Sequence, residues 1–255
     1  MARSGPTIFA LVALLVLAIS GVVLWRGWNI GSVERGRRLA REMGCFTCHG
    51  ADGGRGVLDP GHGLGDVPTW TGGLLTMYVE SPGEIREWIL DGMPQRVRRD
   101  PEQMKERQGA VILMPAFRRF LSDRQADDLV AYVKAVADYE TPQDQNAEEG
   151  RKVAVTFGCF NCHGPQGRGE VENPRSFKGY IPSWSGKDFP DLASDDGEIR
   201  DWILKGGTPR LESNPLARFF MGRQAVKMPA YGTNLKAQDL DRLLDYIHWL
   251  RRHPV

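Results

Sequence analysis

The chain has 255 residues, 41% hydrophobic and 25% charged, which is enough apolar material for two modest globular cores. Its 33 basic and 32 acidic residues leave a formal net charge of +1, balanced in both halves, with no basic stripe of the kind a nucleic-acid surface needs. The four cysteines come as two identically spaced pairs, and whether these are disulfides, metal ligands or attachment points depends on the residues that follow them.

From Thr7 to Trp25 the chain reads TIFALVALLVLAISGVVLW, 19 residues without a charge. That length just spans a hydrocarbon core as a helix. Arg3 and the chain's amino group precede it, as in an export signal. The expectation is an uncleaved signal anchor over residues 1–31, with a transmembrane helix at about 7–25. The competing reading is a cleaved signal peptide, with Ala18 and Ser20 marking a small-residue site before Gly21. Arg26, Arg35, Arg37, Arg38 and Arg41 all follow the segment, which by the positive-inside rule favours a cytoplasmic C-terminal side. Most of them fall in the first helix of a folded domain, so the rule is set aside.

Val33–Met43 has apolar residues at helical spacing, and Cys45-Phe46-Thr47-Cys48-His49 follows it directly. Glycine-rich Ala51–Gly65 reads as a loop. Ser81–Leu90 opens with Ser, Pro and an early Glu, a helix-start pattern. Ser122–Ala137 is a further helix with Ser122 as its N-cap. The polar, proline-containing stretch Asp138–Ala147 then reads as a boundary.

Beyond it the pattern repeats. VERGRRLAREMGCFTCHG at Val33–Gly50 is matched by AEEGRKVAVTFGCFNCHG at Ala147–Gly164. One offset of 114 relates Cys45, Cys48 and His49 to Cys159, Cys162 and His163. It also relates Pro68 to Pro182, Trp70 to Trp184, Trp88 to Trp202, Met114 to Met228 and Tyr132 to Tyr246. The helices at Ser81–Leu90 and Ser122–Ala137 recur at Asp195–Leu204 and Lys236–Arg251. A whole module is duplicated, at 32–138 and 147–255 with a linker at 139–146. The copies diverge most around residues 93–113. No strong strand pattern is present, so the fold class is all-α.

Both cysteine pairs read C-x-x-C-H. Two thiols one helical turn apart can add to the two vinyl groups of one haem, and the adjacent histidine then ligates the iron from below. A zinc site needs about four ligands, and each motif supplies three. A thioredoxin-like pair would sit in a βαβ context, which is missing. The expected cofactors are therefore two covalently bound haems c, with His49 and His163 as iron ligands.

Each module also carries a Met-Pro-Ala-aromatic run, at Met114–Phe117 and Met228–Tyr231. Met114 stands 65 residues after His49, and Met228 stands 65 after His163. A thioether is a soft iron ligand, and His/Met ligation raises the haem potential. Met114 and Met228 are the candidate sixth ligands, against the common fate of a methionine in a core. Met93-Pro94 has no counterpart, since the second copy reads Gly207-Thr208-Pro209. Met43, Met77, Met104 and Met221 read as packing, His62 as a loop residue, and His248 and His253 as surface groups.

On these motifs each module resembles a class I cytochrome c, and the tandem resembles the dihaem c-type cytochromes of bacterial respiratory chains. The resemblance covers everything after residue 32. It implies small helical bundles in which an early helix, Val33–Met43, crosses the last one, Ser122–Ala137. It also implies that a proline carbonyl accepts a hydrogen bond from the ligating histidine, which places Pro68 and Pro182 beside the haem. Trp70 and Trp184 stand where the family usually has an aliphatic residue. Haem contact, with an N–H donated to a propionate, and plain core filling are weighed evenly for them. The modules exceed minimal cytochromes c by a loop before each methionine, a candidate docking feature.

The resemblance implies a membrane-anchored electron carrier with its haem modules on the periplasmic, extracytoplasmic side, because haem attachment follows export in such proteins. Its partners would be redox proteins of a membrane respiratory complex, with no nucleic acid and no small-molecule substrate. A His/Met haem leaves no open site for a substrate. The rival enzyme reading, a dihaem peroxidase, needs one haem with an open or displaceable ligand, and the paired methionines oppose it. A haem-based sensor would need an output domain, and no obvious one is expected here.

Overall fold

The computed structural model describes residues 5–28 and 30–254, without the side chains at 5–7, 18–19, 22–28 and 106. Helix α1 (Gly5–Trp28) contains the uncharged run. Its ten consecutive described side chains, Ile8–Leu17, are all exposed. Among the described residues no helix is long and apolar enough to cross a membrane, and within the expected span at about 7–25 the side chains at 7, 18–19 and 22–25 lie outside those described.

Two helical units follow, built in parallel. The first holds α2 (Ser32–Glu42), α3 (Cys45–His49), α4 (Leu75–Tyr78), α5 (Pro82–Asp91), α6 (Gln95–Arg99), α7 (Pro101–Arg107) and α8 (Asp123–Val136). The second holds α9 (Gln145–Thr156), α10 (Phe160–His163), α11 (Phe189–Leu192), α12 (Asp196–Lys205), α13 (Pro209–Ser213), α14 (Pro215–Arg223) and α15 (Ala237–Arg252). One two-residue antiparallel pair, Val171–Glu172 with Tyr180–Ile181, is the only regular strand pairing among the described residues.

The long helices form where capping and apolar spacing agree. Ser122 accepts from Gln125 N–H while the Gln125 side chain accepts from Ser122 N–H, a reciprocal cap that starts α8. Asp195 caps α12 by accepting from Glu198 N–H. Asp144 caps α9 by accepting from Ala147 N–H, so this helix begins inside the stretch expected as linker.

In each unit the first helix crosses the last, α2 on α8 and α9 on α15, as the resemblance implies. The crossings are glycine contacts. A Cβ at Gly36 would stand 2.0 Å from the Asp128 carbonyl oxygen, and one at Gly150 would stand 1.9 Å from that of Arg242. Only hydrogen at these positions lets the backbones touch. Tyr132 and Tyr246 sit at the crossings with no solvent exposure. Their hydroxyls donate to Asp52 and to the Gln166 carbonyl, both at 3.0 Å, tying the last helix to the turn after each cysteine motif.

Residues 93–113 and their counterparts, expected as divergent loops, fold as the short helix pairs α6–α7 and α13–α14. Their sequence signal is a capping residue before proline. Asp100-Pro101, Thr208-Pro209 and Asn214-Pro215 each place an N-cap acceptor ahead of a proline in the first turn.

The two units meet directly. The Gln166 amide donates to Asp138 Oδ1 at 2.6 Å, and Gly31 N–H at the start of α2 donates to Glu170 Oε1 at 3.3 Å.

Candidate functional site

The C-x-x-C-H residues lie on α3 and on α10, with Cys159 as the N-cap of α10. Each helix is entered from a glycine with positive φ, Gly44 at 75° and Gly158 at 69°, which turns the chain sharply out of the preceding helix. Neither cysteine pair is closed as a disulfide. Burial raises the Cys45 thiol and pushes that of Cys159 up to about 11. Among the described residues no three His, Cys, Asp or Glu side chains converge as a metal cluster.

Each motif faces its own cavity. The first measures about 360 Å³ and is lined by Cys45, Cys48, His49, Pro68, Trp70 and Met114, among others. The second measures about 440 Å³ and is lined by Cys159, Cys162, His163, Pro182, Trp184 and Met228. Both fall in the usual size range of cofactor clefts, about 300–1,000 Å³. The twelve residues expected from the sequence at the haem sites thus line these two cavities, six to each.

The histidines are oriented as the resemblance implies. His49 Nδ1 lies 3.1 Å from the Pro68 carbonyl oxygen, and His163 Nδ1 lies 3.3 Å from that of Pro182. A carbonyl only accepts, so Nδ1 carries the proton and Nε2 keeps its lone pair for a metal. Burial lowers the pKa of His49 and pushes that of His163 down to about 4, which keeps both rings neutral.

Trp70 and Trp184 pack beside these rings, with centroids 4.9 Å apart in both modules. Their backbone N–H groups donate to the carbonyls of Gly53 and Gly167. Those glycines have positive φ, and a Cβ on either would press into the indole at 2.1 or 2.5 Å. The tryptophans therefore line the cavity beside the histidine and belong to the buried core of each module.

The methionine loops hang from the ends of α5 and α12. Phe117 N–H donates to the Ile89 carbonyl, and Tyr231 N–H to that of Ile203. Gly92 and Gly206 end these helices in the left-handed conformation, directly against the carbonyls of Met114 and Met228. Arg96 clamps α6 to α5 through Glu84, and Arg210 clamps α13 to α12 through Glu198, all at 2.7 Å.

Sequence reasoning missed a second clamp. Asp59, inside the supposed plain loop, accepts N–H bonds from Gly61, Val111 and Ile112, which together hold its carboxyl below the ordinary range. At the same offset Asn173 bonds the Val226 backbone with both ends of its amide. The shared offset of 114 was the available signal, though the change from Asp to Asn hides it. Met93 and Met43 differ as expected: Met93 does not line the first cavity, while Met43 packs against the core and its rim.

Two helical modules, each turning a C-x-x-C-H helix toward a methionine across an apolar cavity, define a c-type haem protein that transfers electrons. The family described as Cytochrome c matches residues 33–137 and again 147–251, and the chain belongs to it. It is a tandem of two cytochrome c domains holding two covalent haems c, through Cys45 and Cys48 in one and Cys159 and Cys162 in the other. No curated protein matches the chain. Among solved structures, a chain of the reducing HAO-like protein complex of Kuenenia stuttgartiensis matches at 18% identity, over 87% of this chain and 99% of that one. Its TM-score of 0.28 is too low to carry an argument.

Proposed function

We propose that the protein is a membrane-anchored dihaem electron carrier, passing electrons between components of a respiratory chain, such as a quinol-oxidising complex and a terminal oxidase, reductase or soluble cytochrome. The carrying observation is that a neutral, oriented histidine and a loop methionine line the same cavity in both modules. In this reading His49 and Met114 ligate one iron, and His163 and Met228 the other. A haem held there by both a histidine and a methionine would supply outer-sphere electron exchange and offer no substrate site. The chain's own residues then do three things. Pro68 and Pro182 hold the imidazoles, the loops tied to α5 and α12 hold the methionines, and the apolar walls exclude water and so raise the potential.

The anchor belongs to the same proposal. Ile8–Leu17, IFALVALLVL, is an exposed apolar helical surface of the kind that calls for lipid or protein cover. The haem modules then stand on the extracytoplasmic side, held near membrane redox complexes.

The test is the optical spectrum of the purified oxidised and reduced protein with a pyridine haemochrome assay. Two haems c per chain, with the far-red methionine–ferric band at two-haem intensity, is the expected result. One missing methionine band, or a high-spin signal, overturns the symmetric carrier and favours a peroxidase-like enzyme.

A further inference from the structure

Arg107, at the end of α7, lines the first cavity together with His49 and Met114. Its guanidinium carbon lies 4.6 Å from the centroid of the Trp88 ring, which lines the same cavity. Its Nε is buried and has no hydrogen-bond partner. Burial lowers its pKa, and the Tyr78 phenol is the one influence opposing this. The carboxylate on the same wall, Asp59, spends its oxygens on three backbone N–H groups. The Trp88 indole N–H is committed to the Tyr78 carbonyl. A half-buried cation with an unused donor is costly unless an anion completes it.

The second cavity is built differently. At the offset of 114 from Arg107 stands Met221, which lines that cavity. The buried cation there, Lys178, is already neutralised by Asp188 and Asp191, each at 2.9 Å. Lys227 also lines the wall but is exposed, where a charge is hydrated.

We propose that Arg107 donates its Nε–H to a carboxylate of the first module's haem, and that the second module lacks this contact, so that Arg107 raises the potential of the first haem relative to the second. The inference rests on the two-haem reading. Reduction adds one negative charge to the haem. A neighbouring guanidinium that also neutralises a haem carboxylate favours the reduced form.

The experiment is a spectroelectrochemical titration of the full chain and of Arg107→Gln, with haem content measured by pyridine haemochrome. One of the two midpoint potentials falls, with about a tenfold shift in that haem's reduction equilibrium, equal to 59 mV for one electron. The other midpoint stays put. Arg107→Met copies the second module's residue, packs on Trp88 without charge, and shows the same fall if the glutamine variant does not fold. Arg107→Lys keeps the charge and recovers part of the potential. Arg124→Gln, an exposed charge on α8, serves as the control. Unchanged potentials in two-haem Arg107→Gln or Arg107→Met, equal shifts in both waves, or an equal shift in Arg124→Gln overturns the proposal. A parent protein without two haems instead overturns the underlying reading.

Discussion

Replacing Gly150 with alanine probes the helix crossing on which the second module is built. The added Cβ would stand 1.9 Å from the Arg242 carbonyl oxygen, 2.5 Å from its carbon and 3.0 Å from Tyr246 Cβ. Two of the three atoms are backbone of the facing helix, so no side-chain rotation relieves the clash. The helices must separate, and Tyr246, Leu243 and Leu250 lose contacts in the core they share. Overpacking of this kind costs about 1–3 kcal/mol, and alanine's better helix propensity returns up to about 1 kcal/mol. A net loss of about 1–2 kcal/mol corresponds to a fall in Tm of about 4–16 °C for a module of this size. Thermal unfolding followed at the haem absorbance measures it. Gly222→Ala is the paired control: it lies in α14 with nothing within 4 Å of its would-be Cβ, and it should stabilise slightly. A Gly150→Ala protein as stable as its parent would refute the view that backbone contact sets this crossing.

Met114→Ala and Met228→Ala should each remove half of the far-red methionine band and produce one high-spin haem, with both haems still attached; a full band in either variant denies that methionine its role. Tyr246→Phe strands the buried Gln166 carbonyl, now 3.0 Å from the hydroxyl, and should cost about 1–3 kcal/mol in urea unfolding. Glu170 is buried at the junction with Oε2 unpartnered, and burial pushes its pKa up to about 8. The folded state thus favours the neutral acid while the unfolded chain ionises from about pH 4.5. This group's contribution is full below that pH and is lost at up to about 1.4 kcal/mol per unit until pH 8, where it levels. Glu170→Gln should flatten that decline in urea midpoints measured from pH 5 to 8. An unchanged slope places the titration elsewhere.

The cofactor, the duplication and most helix boundaries were legible in the sequence because their chemistry is local. Two thiols and an imidazole within five residues define an attachment site wherever they fold. A serine before Asp123 or an aspartate before Asp196 satisfies N–H groups in its own first turn. The capped prolines that start α7, α13 and α14 were equally local and were read as loops only because the copies diverge there. The family resemblance added the helix crossings and the histidine–proline contacts. What remained was decided by groups that meet only after long chain segments close. Asp59 reaches the backbone 52 residues on at Val111, and Glu170 reaches Gly31 across 139. Arg107 rests on Trp88 while its own Nε stays unpaired. Residue type alone marks each of these as an ordinary surface charge. The fold makes them otherwise by removing water from a charge and leaving a specific neighbour, or a cavity, to answer it.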